Sequence, residues 1–166
     1  MQIKPIIKKS SNSIIPRDKL SIIIKRLRDE GKTIVTCNGV FDLLHLGHLR
    51  FLEEAKSQGD ILIVGINSDS SVKLTKPDRP INDEITRALI VASIKYVDYV
   101  TIFNEPDPRK LIEIIKPDVH VNGYEYGYNC IEASVLKKYG VKLYLVKRVG
   151  DYSTTNIIKK ILSLYK

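Results

Sequence analysis

The sequence predicts an α/β fold: one doubly wound parallel sheet of five strands, helices on both faces, and a further helix ahead of the first strand. Three observations predict it. Short apolar runs rich in β-branched residues alternate with helix-period segments from residue 34 onward. Runs such as Ile61-Leu62-Ile63-Val64 are apolar throughout instead of alternating, as strands covered on both faces are. A chain of 166 residues is also long enough to bury a core without disulfides or metals.

Residues 1–16 read as an irregular arm, broken by Pro5, Lys8, Lys9 and the Ser10-Ser11-Asn12-Ser13 run, and so lack the apolar core of a signal peptide. Residues 17–30 follow as an amphipathic helix with Leu20, Ile23, Ile24 and Leu27 on one face, stopping at Gly31. Then come a strand at 34–37, a helix at 47–58, a strand at 61–66 and a helix at 84–95. A strand at 99–103, a helix at 108–116, a strand at 118–121, a helix at 130–139, a strand at 141–146 and a helix at 154–164 complete the series. Repeated βαβ units of this kind give a Rossmann-like sheet, in which ligands bind beyond the carboxyl ends of the strands near the switch point. The loop after the first strand, the Asn67-Ser68-Asp69 turn, the Asn122-Gly123 turn and the segment after the last strand all fall at such ends.

Composition bounds the partners. Hydrophobic residues at 43% and charged residues at 28% are ordinary for a globular protein. The net charge of +8 favours anionic ligands. The lysines, among them Lys25, Lys56, Lys137, Lys138, Lys159, Lys160 and Lys166, are scattered instead of lining one helix face with aromatics, which argues against nucleic acid as the partner. Cys37 and Cys130 lack CxxC or zinc-ligand spacing and read as thiols of a reducing compartment. No apolar run approaches the ~18 residues of a membrane span, so no membrane partner and a cytoplasmic location are expected.

Three segments carry chemistry. The first strand opens into Asn38-Gly39-Val40-Phe41-Asp42-Leu43-Leu44-His45-Leu46-Gly47-His48. Histidines at i and i+3 of a helix start share a face, and a helix N-terminus offers unpaired N–H groups with partial positive charge. His45 and His48 can donate to phosphate oxygens, and Gly39 and Gly47 remove side chains where backbone meets phosphate; outside such a context the same residues would be a turn and a helix surface. The second segment is Arg148 with Ser153-Thr154-Thr155. The hydroxyls read as an N-cap and equally as an anion site, and Arg148 as a bidentate phosphate ligand. The third is the basic loop from Lys73 through Lys76 to Arg79-Pro80, either a solvated turn or a cover over an acceptor phosphate.

With these segments placed, residues 31–166 resemble the cytidylyltransferase-like nucleotidyltransferases, preceded by an arm and helix at 1–30. The likeness is greatest to the heptose 1-phosphate adenylyltransferases of ADP-heptose synthesis, through Asn38–Asp42 with HxGH, Asn67-Ser68-Asp69, Arg79-Pro80-Ile81-Asn82, the STTNIIKKI stretch from Ser153 and the upstream segment 19–32. Glycerol-3-phosphate cytidylyltransferase comes second, through Arg148, Tyr96-Val97-Asp98 and Leu43-Leu44. Where the heptose group carries Lys-Gly-Gly-Asp, this chain has Asn122-Gly123-Tyr124-Glu125, then Tyr126-Gly127-Tyr128, and the tyrosines suggest a stacking or sugar-contact pocket.

The resemblance implies transfer of a nucleoside monophosphate from a triphosphate to a sugar phosphate with release of pyrophosphate. It implies His45, His48 and Arg148 as the catalytic residues. Asn38, Gly39, Val40, Phe41, Gly47, Asn122, Gly123, Glu125, Ser153, Thr154 and Thr155 would bind the nucleotide, and Lys73, Lys76 and Arg79 the acceptor phosphate. Mg²⁺ is expected to arrive on the substrate, with Asp42 in indirect contact, since no Asp/Glu cluster has metal-ligand spacing. A homodimer is expected. The competing readings are CDP-glycerol synthesis and a nucleotide-binding module without turnover; a tRNA synthetase fragment is opposed by the short chain and the lack of a KMSKS-type loop.

Overall fold

The structure, a computed structural model, describes residues 13–148, 150 and 152–165. The first twelve residues of the arm expected at 1–16 lie outside the described residues, as do Val149, Asp151 and Lys166. In chain order the elements are α1 (Leu20–Asp29), β1 (Ile34–Gly39), α2 (Leu46–Lys56), β2 (Ile61–Asn67), α3 (Asp69–Lys73) and α4 (Glu84–Ala92). They continue with β3 (Tyr99–Phe103), α5 (Arg109–Ile115), β4 (Val119–Gly123), α6 (Ala133–Lys138), β5 (Lys142–Val146) and α7 (Thr154–Leu164).

All five strands are parallel in the order β3-β2-β1-β4-β5. The chain therefore winds outward from β1 in one direction, returns, and winds outward in the other, which puts a switch point between β1 and β4. Apolar strands can sit there because both faces are covered. On one face Leu52 and Ala55 of α2 and Ala88 and Val91 of α4 pack on Val35, Cys37, Leu62 and Val64. On the other, Leu20, Ile24 and Leu27 of α1 join Leu111 and Ile115 of α5 over Ile34, Ile63 and Phe103. Full burial of each such side chain contributes about 1.5–3 kcal/mol, so α1 is an integral part of the sheet's cover. Residues 13–15 run along the free edge of β3, where Ile15 N donates to Val100 O at 2.8 Å and Val100 N to Ser13 O at 2.9 Å.

Boundaries differ from the sequence expectation by one or two residues at most elements and by more in four places. The first is the helix expected from 17, which opens as a 3-10 turn over Arg17–Lys19 before α1. The helix expected to run to 95 ends at Ala92, where the Ser93 hydroxyl donates to the Leu89 carbonyl. The helix expected from 130 starts only at Ala133, because Tyr124–Tyr126 form a 3-10 turn that closes on Gly127 at φ 62°. An unforeseen short helix, α3, is capped by Ser68, whose hydroxyl accepts from Ser71 N. Cys37 lies in the core, where burial pushes its thiol up, while half-buried Cys130 is raised by burial and by the neighbouring Glu132 carboxylate.

His120 is buried mid-strand in β4, with Nδ1 2.9 Å from Thr36 Oγ1 and Nε2 without a partner. Burial pushes its pKa down from 6.5 to about 4. Above pH 6.5 the ring is neutral in both the folded and unfolded states. Between 6.5 and 4 the unfolded chain takes up a proton that the folded chain refuses, so stability falls with pH across that window, by on the order of 3 kcal/mol at its lower end. Melting temperature should therefore drop between pH 6.5 and 4.5, and His120→Asn should make the slope shallower. An unchanged slope in the variant would remove His120 as a source of the acid sensitivity.

Candidate active site

A cavity of about 480 Å³ opens at the carboxyl ends of β1, β2, β4 and β5, beside the switch point. The loop after β1 forms one wall with Asn38, Gly39, Val40 and Phe41. Phe41 takes a left-handed backbone, φ 49°, which folds its ring back over β1. A Cβ on Gly39 would lie 2.9 Å from that ring. Any side chain at position 39 would therefore crowd the Phe41 ring.

Asp42 follows and is consumed locally. Its carboxylate accepts from Ile81 N at 3.0 Å and Asn82 N at 2.9 Å, and its Oδ2 lies 2.8 Å from Arg79 Nε, in an ion pair whose Nε–H is not aimed at it. The side chain is 1% exposed. Asp42, which lines the cavity, thus clamps the 79–82 loop. That clamp holds Arg79, and Lys76, exposed and on the cavity wall, is the second cation of the loop there. Lys73 needs correcting. It ends the unforeseen helix α3, is exposed, and does not line the cavity, so it does not join Lys76 and Arg79.

The histidines do share one face. His45 is the extended N-cap residue of α2 and His48 lies in its first turn, with ring centroids 3.8 Å apart and planes at 22°. A Cβ on Gly47 would come within 3.0 Å of the His45 ring, so glycine is what lets the ring lie back over the helix start. Burial first, and then the neighbouring His45, push His48 down to about 4; burial and Arg148 also lower His45. Both rings are neutral at physiological pH. Each Nδ1 is buried without a hydrogen-bond partner. With no acceptor for an Nδ1 proton, the proton belongs on Nε2, the nitrogen left free to donate to a ligand.

The C-terminal helix brings the second anion site to the same place. Ser153 caps α7, its Oγ accepting from Asn156 N at 3.0 Å, and Thr154 Oγ1 donates to Leu43 O at 3.3 Å, tying α7 to the loop that carries the histidines. Ser153, Thr154 and Thr155 all line the cavity. The cap and anion-site readings are therefore compatible: the hydroxyls organise a helix start that itself lines the cavity. Arg148 lines it too, donating to Tyr152 O at 3.2 Å.

The wall from β4 holds Asn122, Gly123 and Glu125. Of the tyrosines there, Tyr126 lines the cavity, whereas Tyr124 and Tyr128 are exposed outside it. Sequence reasoning missed Tyr152, whose ring stacks 6.5 Å from that of His45, and Glu132, a cavity-lining carboxylate only 4% exposed. Arg50, Phe51, Asn67, Val146 and Lys147 complete the lining. The position of Tyr152 directly before the Ser-Thr-Thr helix start was the signal available for it; nothing local in the sequence marks Glu132. Among the described residues, no three His, Cys, Asp or Glu side chains converge as a metal site.

One buried cation holds these walls in register. Arg87 on α4, 0% exposed, donates Nη1 to Val40 O at 2.6 Å, Nε to Asn82 O at 3.0 Å, and Nη2 to both Asn67 O and Asp69 Oδ1 at 2.7 Å.

Comparison with known proteins agrees with this geometry. The Cytidylyltransferase-like family model matches residues 36–165. "Bifunctional protein HldE" of Geobacter metallireducens is 47% identical over 150 residues, 89% of this chain and 31% of the relative. The protein of the same name from Aliarcobacter butzleri is 47% identical over 157 residues, 93% of this chain and 32% of the relative. The chain thus spans about a third of the length of these curated relatives. Among solved structures, the lipopolysaccharide core biosynthesis protein from Thermoplasma volcanium GSS1 superposes with a TM-score of 0.60 at 33% identity, covering 74% of this chain and 100% of that one.

Removing the Arg87 guanidinium strands three carbonyls and a carboxylate at once. Arg87→Met should cost about 3–5 kcal/mol in denaturant unfolding, the range for breaking a buried ion pair by deleting one partner. A loss below ~1 kcal/mol would mean that the loops hold their positions without it.

Proposed function

The chain belongs to the cytidylyltransferase-like family, and from that premise we propose that it is a nucleotidyltransferase that moves a nucleoside monophosphate from a triphosphate to a sugar phosphate and releases pyrophosphate. The observation that carries the reading is the pair of stacked, neutral imidazoles at the start of α2, facing one cavity together with the Ser153–Thr155 start of α7. Two helix N-termini and two ring N–H donors converging on one space suit a polyphosphate.

In this reading an oxygen of the acceptor phosphate attacks the α-phosphorus. One P–O bond forms there and the bond to the β-phosphate oxygen breaks, with pyrophosphate taking the electron pair. The attacking oxygen is already anionic, so no general base is needed and catalysis consists of positioning and charge stabilisation. His45 and His48 donate to the non-bridging oxygens as charge builds on them. Being neutral, they supply directed hydrogen bonds without holding the product as an ion pair would. Arg148, Lys147 and the α7 start receive the leaving phosphates, and Lys76 and Arg79 the acceptor. Magnesium would be held by the triphosphate's own oxygens and water and would supply neutralisation of phosphate charge; the N–H and hydroxyl groups of the cavity are left to bind the phosphates themselves.

We assign the substrates as ATP and D-glycero-β-D-manno-heptose 1-phosphate, giving ADP-heptose. The likeness of Asn38–Asp42, Arg79–Asn82 and the STTNIIKKI stretch to the heptose group supports this, as does the likeness to a protein described as acting in lipopolysaccharide core biosynthesis. The reading includes a cytoplasmic location, in line with the absence of any membrane-crossing helix among the described residues. It also includes a homodimer, supported by the exposed Ile161, Leu162 and Leu164 of α7.

His48→Ala should lower turnover by ~10²-fold or more and His45→Ala by less, as loss of one transition-state donor does, while both variants still melt cooperatively. Wild-type pyrophosphate release from both variants would remove the histidines from the chemistry. For the substrates, kcat/KM with ATP and heptose 1-phosphate should exceed that with CTP and glycerol 3-phosphate by a wide margin, because a site that pairs one base edge leaves buried polar groups unpaired against another. A tenfold preference for the CTP pair would overturn the heptose assignment.

A further inference from the structure

The cavity has two unlike halves. Lys76, Arg79, Lys147 and Arg148 put cations around the histidines, whereas the wall built by β4 and the start of α6 presents the carboxylates of Glu125 and Glu132 and the amide of Asn122. Glu125 is exposed and lies back over Gly123. Glu132 is different. It is 4% exposed at the N-cap of α6, yet its donors are weak: the Asn122 amide at 3.4 Å and the thiol of Cys130. A carboxylate accepts about four hydrogen bonds, and a buried one left short of donors is costly. Asn122, itself 8% exposed, has its Oδ1 occupied by Gly123 N at 3.1 Å and so can only donate toward Glu132. The pair is built to receive donors from whatever fills that half.

A second phosphate is the wrong group for an acidic wall. A neutral group with two adjacent O–H donors is the right one, since the two oxygens of one carboxylate can accept from both. Two sugars enter the proposed reaction, the ribose of the nucleotide and the acceptor, and the sheet distinguishes them. β1 lies between β2 and β4, so the Asp42–Arg79 loop and the Asn122–Glu132 wall flank the histidine loop from opposite sides. With the acceptor phosphate on Lys76 and Arg79, the opposite wall belongs to the nucleotide. We propose that Glu132, steadied by Asn122, is the specificity residue that accepts the ribose 2′- and 3′-hydroxyls, so that the enzyme selects ribonucleotides over deoxyribonucleotides. This rests on the nucleotidyltransferase reading above.

The test uses the full chain and three probes in calorimetric titration: an ATP analogue with a methylene bridge between the α- and β-phosphorus, its 2′-deoxy form, and inorganic tripolyphosphate. Wild type should bind the ribo analogue about tenfold or more tighter than the deoxy one, the worth of a charge-assisted hydrogen bond. Glu132→Gln should weaken the ribo analogue about tenfold, bring the ribo-to-deoxy ratio near one, and leave tripolyphosphate binding unchanged. Retained tripolyphosphate binding shows that the phosphate half is folded. If Glu132→Gln does not fold, Glu132→Asp, shorter by one methylene, should show the same loss of ratio. An unchanged ratio in the folded variant overturns the proposal, as does equal weakening of both analogues, which would assign the carboxylate to the base. A raised KM for the acceptor with unchanged nucleotide affinity also overturns it, by giving Glu132 to the acceptor sugar. Pyrophosphate release by the wild type is measured separately: its absence would sink the reaction while leaving a ribo-to-deoxy preference to stand or fall by itself.

Discussion

The guanidinium of Arg87 sits where the ends of β1 and β2 and the 79–82 loop meet, and it spends its donors on a carbonyl from each of the three and on the Asp69 carboxylate. A buried cation is tolerable only with such a complete set of acceptors, and the requirement works in both directions. The cation needs the loops closed around it, and the loops need it because their carbonyls face inward, away from solvent and from any strand partner. Asp42 repeats the device with opposite sign, gathering the backbone N–H groups of Ile81 and Asn82 with the side chain of Arg79. The walls of the cavity near β1 and β2 are thus held by two buried charges on the same loop system. Segments without regular secondary structure can then present Phe41, His45 and Arg79 at fixed positions.

Those two charges have their partners within the protein. Around the histidines the cavity offers two neutral imidazoles, hydroxyls, and the cations Lys76, Arg79, Lys147 and Arg148, with Glu125 and Glu132 on the opposite wall. Burial is the first cause of the neutrality of the rings, and the 3.8 Å stacking on His45 adds to it for His48. Two imidazolium ions so close would repel in a partly dry site, and Arg148 opposes protonation of His45 further.

The sheet was legible because its strands are continuous β-branched runs, and the order of helices followed from period alone. The histidine loop, the Asn122-Gly123 turn and Ser153–Thr155 were legible for a related reason: each directly follows a strand end or opens a helix, so sequence position and place in the site coincide. Lys73 was misplaced because the chain spends residues 69–73 on a helix whose cap, Ser68, is also plausible as a turn residue. Glu132 was invisible because a 3-10 turn and Gly127 delay α6 to residue 133, and only that delay returns the carboxylate to the cavity. Gly39 and Gly47 stand out in the sequence as glycines beside the histidines, but the rings of Phe41 and His45 that lie against them are contacts that only the folded loop reveals.

The switch point between β1 and β4 also separates what must stay constant from what can change. Everything on the β2 side of the histidines is interlocked: altering Asp42, Arg79 or Arg87 disturbs backbone as well as side chains. The β4–α6 connection carries no comparable buried anchor to those loops. Its Asn122, Glu125 and Glu132 are bonded mainly to one another or lie back on their own backbone. A turn of that kind can exchange a lysine for Asn122 or lengthen an aspartate to Glu125 without moving the histidines. The departures at 122–130 therefore fall on a wall that makes none of the contacts holding Asp42, Arg79 and Arg87 in place, and the histidine loop keeps its anchors whatever that turn contains.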